Sequence, residues 1–395
     1  MSVRHGREFL AIPGPTNIPD AVLGAMHHPA VDIYTGSLVG VTESCFADLG
    51  TVFRTKGSIY VYAANGHGAW EAALINVLSP GDQVLVLESG MFASRWGEMA
   101  KTLGLEAEVL PGVPRGAVDA AALEARLRQD TEGRIKALLV VQVDTASGVV
   151  NDIPALAAAR TAAGHEALLL VDAIASLATM PFEMDAWGVD LALTGSQKGL
   201  MTPPGLSFVA AGERAQAAHA EAGLSSMYFD WTRREGPKHY DKYCGTPPEH
   251  LLFGLRKALD LLLDEGLEAA FERHRLLAQA VRNAVEVWCQ GGGVEFNIIE
   301  PSQRANSVTT IVLPEGQDAQ PLLDYCRERC GVVLGLGLGD LGGRGFRIAH
   351  MGHVNAPMIL GTLAVVETAL AALDIPHGRG GVQAAIDGLA EAVKP

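Results

Sequence analysis

Through the first two thirds of the chain, short runs of Val, Ile and Leu alternate with longer Ala-rich stretches. The runs IYVYAA, QVLVLE, KALLVVQVD, EALLLVD, VDLALT and LSFVAA are apolar at consecutive positions, the pattern of strands covered on both faces. Between them, AWEAALINVL, ASRWGEMAKTLG and IPALAAARTAAG read as helices. This order predicts an α/β unit, a mostly parallel sheet with helices on both faces. After about residue 250 the texture changes to one long helical stretch, HLLFGLRKALDLLLDEG through LEAAFERHRLLAQAVRNAVEVW. SVTTIVL, LLDYCRER, GVVLGL, GFRIAH and a closing Ala-rich helix then predict a smaller α+β domain. There is no internal repeat and no low-complexity linker. The expected division is an N-terminal arm at 1–20, a large domain at 21–260 and a small domain at 261–395, with the boundary on the long helix.

A length of 395 residues, nearly half of them apolar and fewer than a fifth charged, suits two compact domains with cores of their own. The formal net charge of −15 speaks against sequence-independent binding to nucleic acid or to an anionic membrane, which demands a basic face. A small-molecule partner is expected instead. MSVRHGREFL lacks the apolar core of a signal peptide, and no run reaches the length that spans a bilayer, so the expected location is cytoplasmic. Five scattered cysteines suit reduced thiols better than a disulfide framework. Cys326 and Cys330 in CRERC could share a helix face, yet two thiols without further ligands make a poor metal site, and no metal is expected.

Ligands of open α/β sheets bind beyond the carboxyl ends of the strands, so the residues just after each apolar run carry the candidate chemistry. After IYVYAA comes Asn65-Gly66-His67-Gly68, and a helix opens at about Ala69; glycines and free amides at a helix N-terminus suit a phosphate. EALLLVD ends in Asp172, which on its own would pass for a helix cap. VDLALT is followed by GSQKG, which presents Lys198; a lysine in a loop is ordinarily solvated surface. Taken together, a lysine, a carboxylate and a phosphate cradle converging on one cleft match the needs of pyridoxal 5'-phosphate. The lysine would attach to the aldehyde, the carboxylate would keep the pyridine nitrogen protonated, and the glycine turn would hold the phosphate. A second glycine pattern, Gly337, Gly339 and Gly342, matches the dinucleotide fingerprint, but GGRGFRIAH follows where that fingerprint requires a helix, so nicotinamide binding is rejected.

The ordered series IPGPTNIP, NGHGAWEAAL, DTASGV, LLLVDAIASL, WGVDLALTGSQKG with PPGL, YCGTPPEHLL and FRIAHMGH runs nearly end to end. In it the chain resembles the class V aminotransferases of pyridoxal-phosphate fold type I, and among them the serine–glyoxylate and alanine–glyoxylate group. The resemblance implies Lys198 as the cofactor-bound lysine and Asp172 as the partner of the pyridine nitrogen. It implies Gly66, His67 and Gln197 around the phosphate, Phe92 against the cofactor face and Thr145 near its phenolic oxygen. Tyr243 and Thr246 match residues that reach the phosphate from a neighbouring subunit, so a homodimer with shared sites is implied. Arg347 is expected to grip the substrate carboxylate, since a guanidinium can do so through two parallel hydrogen bonds. His350 and His353 follow closely and are read as structural.

The activity implied is ping-pong transamination of serine, alanine or aspartate with glyoxylate or pyruvate, with serine and glyoxylate foremost. Aspartate–glyoxylate and pyridoxamine–pyruvate exchange are the alternatives on the same fold. Cysteine desulfuration would need a catalytic cysteine in a mobile loop, and none of the five lies in one of that kind; a regulator on this fold would need a DNA-binding module for which there is no spare length. Two departures bear on specificity: VDIYTGSL stands where relatives carry a histidine-arginine-serine stretch, and VQVDTASG puts Asp144 where a glutamate is usual.

Overall fold

The computed structural model describes residues 2–394. Seven strands form the large sheet, in the spatial order Ser58–Tyr62, Ser207–Ala211, Leu191–Gly195, Leu168–Asp172, Ile135–Val141, Gln83–Leu87 and Glu106–Leu110. Ser207–Ala211 runs antiparallel to both its neighbours, while the other pairs are parallel. Six strands therefore deliver their carboxyl ends to one edge of the sheet. All six apolar runs of the sequence are strands here, and Glu106–Leu110 is an additional edge strand.

Consecutive apolar residues are needed because both faces are covered. Leu85, Leu138, Val140, Leu169 and Val171 enter one core, beneath the helices Ser37–Phe53, Ile153–Ala162 and Glu249–Glu265. Their alternates Val84, Val86, Leu139 and Leu170 enter the other, with Trp70 of the helix Gly66–Val77 and Trp96 of the helix Met91–Thr102. Successive side chains on a strand point to opposite faces, so each run supplies both layers.

The small sheet has the order Phe9–Ala11, Val332–Leu336, Gly345–Ala349, Val308–Val312 and Glu295–Phe296. Its first strand belongs to the N-terminal arm and pairs parallel with Val332–Leu334; the other pairs are antiparallel. The helices Leu267–Cys289, Ala356–Ala372 and Gly381–Ala392 cover it.

The stretch expected as one long helix is two, Glu249–Glu265 and Leu267–Cys289, parted at Gly266, whose φ of +88° a helix interior does not accept. Leu267 and Ala270 still pack in the large core, whereas Leu277 through Trp288 pack in the small one. LLDYCRER is likewise a helix, Gln320–Tyr325, that widens into the turn Cys326–Cys330. All five cysteines are free, and among the described residues no helix is long and apolar enough to cross a membrane.

Candidate active site

Residues at or just after the carboxyl ends of five strands of the large sheet line one cavity of about 250 Å³. The helix Gly66–Val77 opens there with Asn65 as its cap, whose side-chain oxygen accepts from the His67 amide at 3.1 Å and the Gly68 amide at 3.4 Å. A Cβ at Gly66 would stand 2.5 Å from Ile174 Cδ1, so the far end of that side chain would have to shift to admit one.

Asp172 closes the base. It ends a fully buried strand and is only 3% exposed. Trp70 Nε1 donates to its Oδ2 at 2.6 Å and the Ile174 amide to its Oδ1 at 2.7 Å. Burial nevertheless pushes its pKa up to about 7 against those two donors. Trp70 is itself wedged among rings, 4.7 Å from His67, 6.0 Å from Trp96 and 6.3 Å from Phe92 between centroids.

Lys198 stands on the turn after Leu191–Gly195. Thr16 of the N-terminal arm fixes this turn: its amide donates to the Gln197 carbonyl at 3.1 Å and its hydroxyl to the Lys198 carbonyl at 3.1 Å. The lysine Nζ donates to the Pro13 carbonyl of the same arm. Gly14, at φ +110°, must be glycine here, because a Cβ would lie 2.4 Å from Nζ. Burial, with Arg347 nearby, holds the amine down at about 8, and Asp172 partly offsets this. Beside it, the buried Gln197 Oε1 has no hydrogen-bond partner among the described residues.

A second chamber of about 430 Å³ adjoins the first and shares Phe92, Thr145 and Lys198 with it. Arg347 lies in this chamber, on the strand Gly345–Ala349 and 7% exposed. Its Nε donates to the Leu336 carbonyl at 2.8 Å and its Nη1 to the Thr145 carbonyl at 3.0 Å. Burial lowers its pKa to about 10, with Asp144 opposing.

Gly66, His67, Phe92, Thr145, Asp172, Gln197 and Lys198 thus line a single cavity, and Arg347 lines the chamber next to it. Tyr243 and Thr246 lie outside both. The Tyr243 hydroxyl is buried and shares a 2.8 Å hydrogen bond with Thr42, while Thr246 is exposed on the surface. His350 is structural, as expected: it bridges Thr309 and the Asn306 carbonyl at 2.8 Å each, and burial holds it neutral by lowering its pKa to about 3. The departing segment VDIYTGSL is a surface turn, with Asp32 accepting from the Tyr34 amide at 2.8 Å. Sequence reasoning missed Asn65 as the cap of the turn it had picked out, and it missed Trp70 and the Pro13-Gly14 contact. The first carried a signal, an asparagine immediately before a helix start; the other two carried none. The glycines after GVVLGL lead through the short turn Gly339–Leu341 into the strand Gly345–Ala349, with no helix opening on them.

The family model described as Aminotransferase class-V matches residues 47–339. The chain is 40% identical over 375 residues to a serine–glyoxylate aminotransferase of Methylorubrum extorquens, covering 93% of this chain and 92% of that protein. It is 37% identical over 376 residues to an L-aspartate–glyoxylate aminotransferase of Paracoccus denitrificans, covering 95% and 94%. Among solved structures, a pyridoxamine–pyruvate aminotransferase from Mesorhizobium loti superposes with a TM-score of 0.90 at 27% identity, covering 100% of both chains. A ureidoglycine–glyoxylate aminotransferase from Bacillus subtilis gives 0.87 at 26%, covering 97% and 98%. With an amine, a carboxylate and an amide-lined turn at one sheet edge and homology over nearly its whole length, this chain belongs to the class-V aminotransferases.

Proposed function

We propose that the protein is a pyridoxal 5'-phosphate-dependent aminotransferase that takes the amino group of a small amino acid, serine foremost, and passes it to glyoxylate. The observation that carries this reading is the meeting of Lys198, Asp172 and the Asn65–His67 turn in one cavity, with Arg347 in the chamber beside it. The residues fit the cofactor. A carboxylate held near neutrality by burial calls for a cationic partner, and the pyridinium nitrogen is one. The unpartnered Gln197 Oε1 and the Gly66 amide add polar groups along the wall.

Bound there, pyridoxal phosphate supplies an aldehyde that takes up the amino group and a ring that accepts electrons. Lys198, brought down to about 8, has a substantial neutral fraction near pH 8 and can take and return the substrate's α-proton. Asp172, fixed by Trp70 and the Ile174 amide, would hold the ring cation. Arg347 binds the carboxylate common to donor and acceptor, and one anchor serves both halves of a ping-pong exchange. The half-buried Phe92 bounds both spaces and would lie against the ring face. A homodimer would bring the exposed Thr246 segment to the partner's cavity.

The test is a half-reaction screen. Cofactor-loaded protein is offered serine, alanine, aspartate and pyridoxamine separately, and loss of the lysine-bound absorbance is followed. Serine should discharge it fastest, and glyoxylate should restore it. Discharge by pyridoxamine with recovery by pyruvate would replace this reading with the vitamin–pyruvate exchange named for the Mesorhizobium loti structure. No discharge by any amine would overturn both.

A further inference from the structure

Arg347 is a buried cation whose donors go to two carbonyls, those of Leu336 and Thr145. The nearby buried anion that opposes its loss of charge is Asp144, one residue before Thr145. Asp144 is fully buried and held by three backbone amides: Phe92 and Ala93 donate to Oδ2 at 2.9 and 3.2 Å, and Ala146 donates to Oδ1 at 2.9 Å. Burial raises the Asp144 pKa, and the three amide donors oppose it by favouring the charged form. The backbone is shaped to admit this group, since a Cβ at Gly90 would stand 2.5 Å from its carboxyl carbon. The same carboxylate therefore grips Phe92 of the cofactor wall and brackets Thr145, on which Arg347 rests.

We propose that Asp144 is a positioning residue that acts through Arg347: its fixed negative charge restrains the guanidinium and so limits how tightly a substrate carboxylate binds there. The proposal rests on the reading of Arg347 as the carboxylate anchor. A charge of the substrate's own sign, held near the anchor, weakens the grip in a poorly screened interior. A carboxylate that must enter as donor and leave as keto acid at every turnover gains from a moderated anchor.

The experiment is calorimetric titration of glycolate, an unreactive mimic of glyoxylate, into cofactor-loaded wild type, Asp144→Asn, Asp144→Glu and Arg347→Ala. Asp144→Asn should bind glycolate tighter, on the order of threefold to tenfold. Asp144→Glu, which keeps the charge, should stay within about twofold of wild type. A merely structural role predicts the opposite, weaker binding in both Asp144 variants. Unchanged or weaker binding in Asp144→Asn, or equal tightening in Asp144→Glu, overturns the proposal while Arg347→Ala still abolishes binding. If Arg347→Ala binds like wild type, the anchor reading itself fails and takes this inference with it. Should the asparagine variant not fold, Asp144→Ser, neutral and smaller, carries the same reading.

Discussion

Two glycine-rich turns follow apolar strands in this chain, and they end differently. At Asn65–Gly68 the chain turns into a helix whose N-terminus, capped by Asn65, lines a cavity that also holds Asp172 and Lys198. At Gly337–Gly343 it turns into another strand, and its glycines are consumed by packing: a Cβ at Gly337 would lie 2.0 Å from the Leu341 carbonyl. Glycine spacing alone is therefore a poor guide to an anion site. The element that comes next decides whether backbone donors are left over or spent on a neighbouring turn.

The difference can be broken from the catalytic side first. Lys198→Ala should lower multiple-turnover transamination about ten-thousandfold and abolish lysine-bound cofactor absorbance, while cofactor still binds by its phosphate. Arg347→Ala should raise KM for both donor and acceptor, each about tenfold to a hundredfold, and leave that absorbance in place. At the other turn, Gly337→Ala should cost about 1–3 kcal/mol of stability, seen as a lowered Tm, with cofactor affinity unchanged. A fall in cofactor affinity there would erase the contrast. The mildest case is Gly66→Ala, whose Cβ meets only the far end of Ile174; it should weaken cofactor binding by a few-fold, measured by equilibrium dialysis.

A further contrast concerns pH. The Asp172 carboxyl titrates near 3.8 in an unfolded chain and about 7 in the cofactor-free fold, so the fold holds an extra proton between these values. Its contribution to stability is present below about pH 4 and is lost as the pH rises through about 7. Cofactor-free Asp172→Asn should consequently gain Tm relative to wild type between pH 4 and pH 8. An equal pH profile in the two proteins would show that the buried carboxylate is not the cause. Cofactor-loaded, the order should reverse, because the ring cation then stabilises the ionised form.

The sheet was legible where both faces are buried, because LLLVD and QVLVL are apolar at nearly every position. Glu106–Leu110 escaped notice for the converse reason: this edge strand, EAEVL, has no fully buried residue and carries two glutamates. The strand Phe9–Ala11 is three residues long, too short for any period to show. In the site, Lys198, Asp172 and Gly66 stood out by following strands. The Trp70 bond to Asp172 and the Pro13 carbonyl on Lys198 did not, since each joins residues more than a hundred positions apart. Gly266 sits inside an otherwise continuous helical pattern, and its backbone angle is not encoded by spacing.

The arm that caps Lys198 also extends the small sheet, and its first residues run along the Cys326–Cys330 turn, where the Val3 amide meets the Arg329 carbonyl at 2.8 Å. Arg327, on that turn, borders the outer chamber. An affinity handle fused ahead of residue 2 would thus emerge near the rim of that chamber. Attachment after the last helix, which packs on Leu267–Cys289 and lines neither chamber, would avoid that rim.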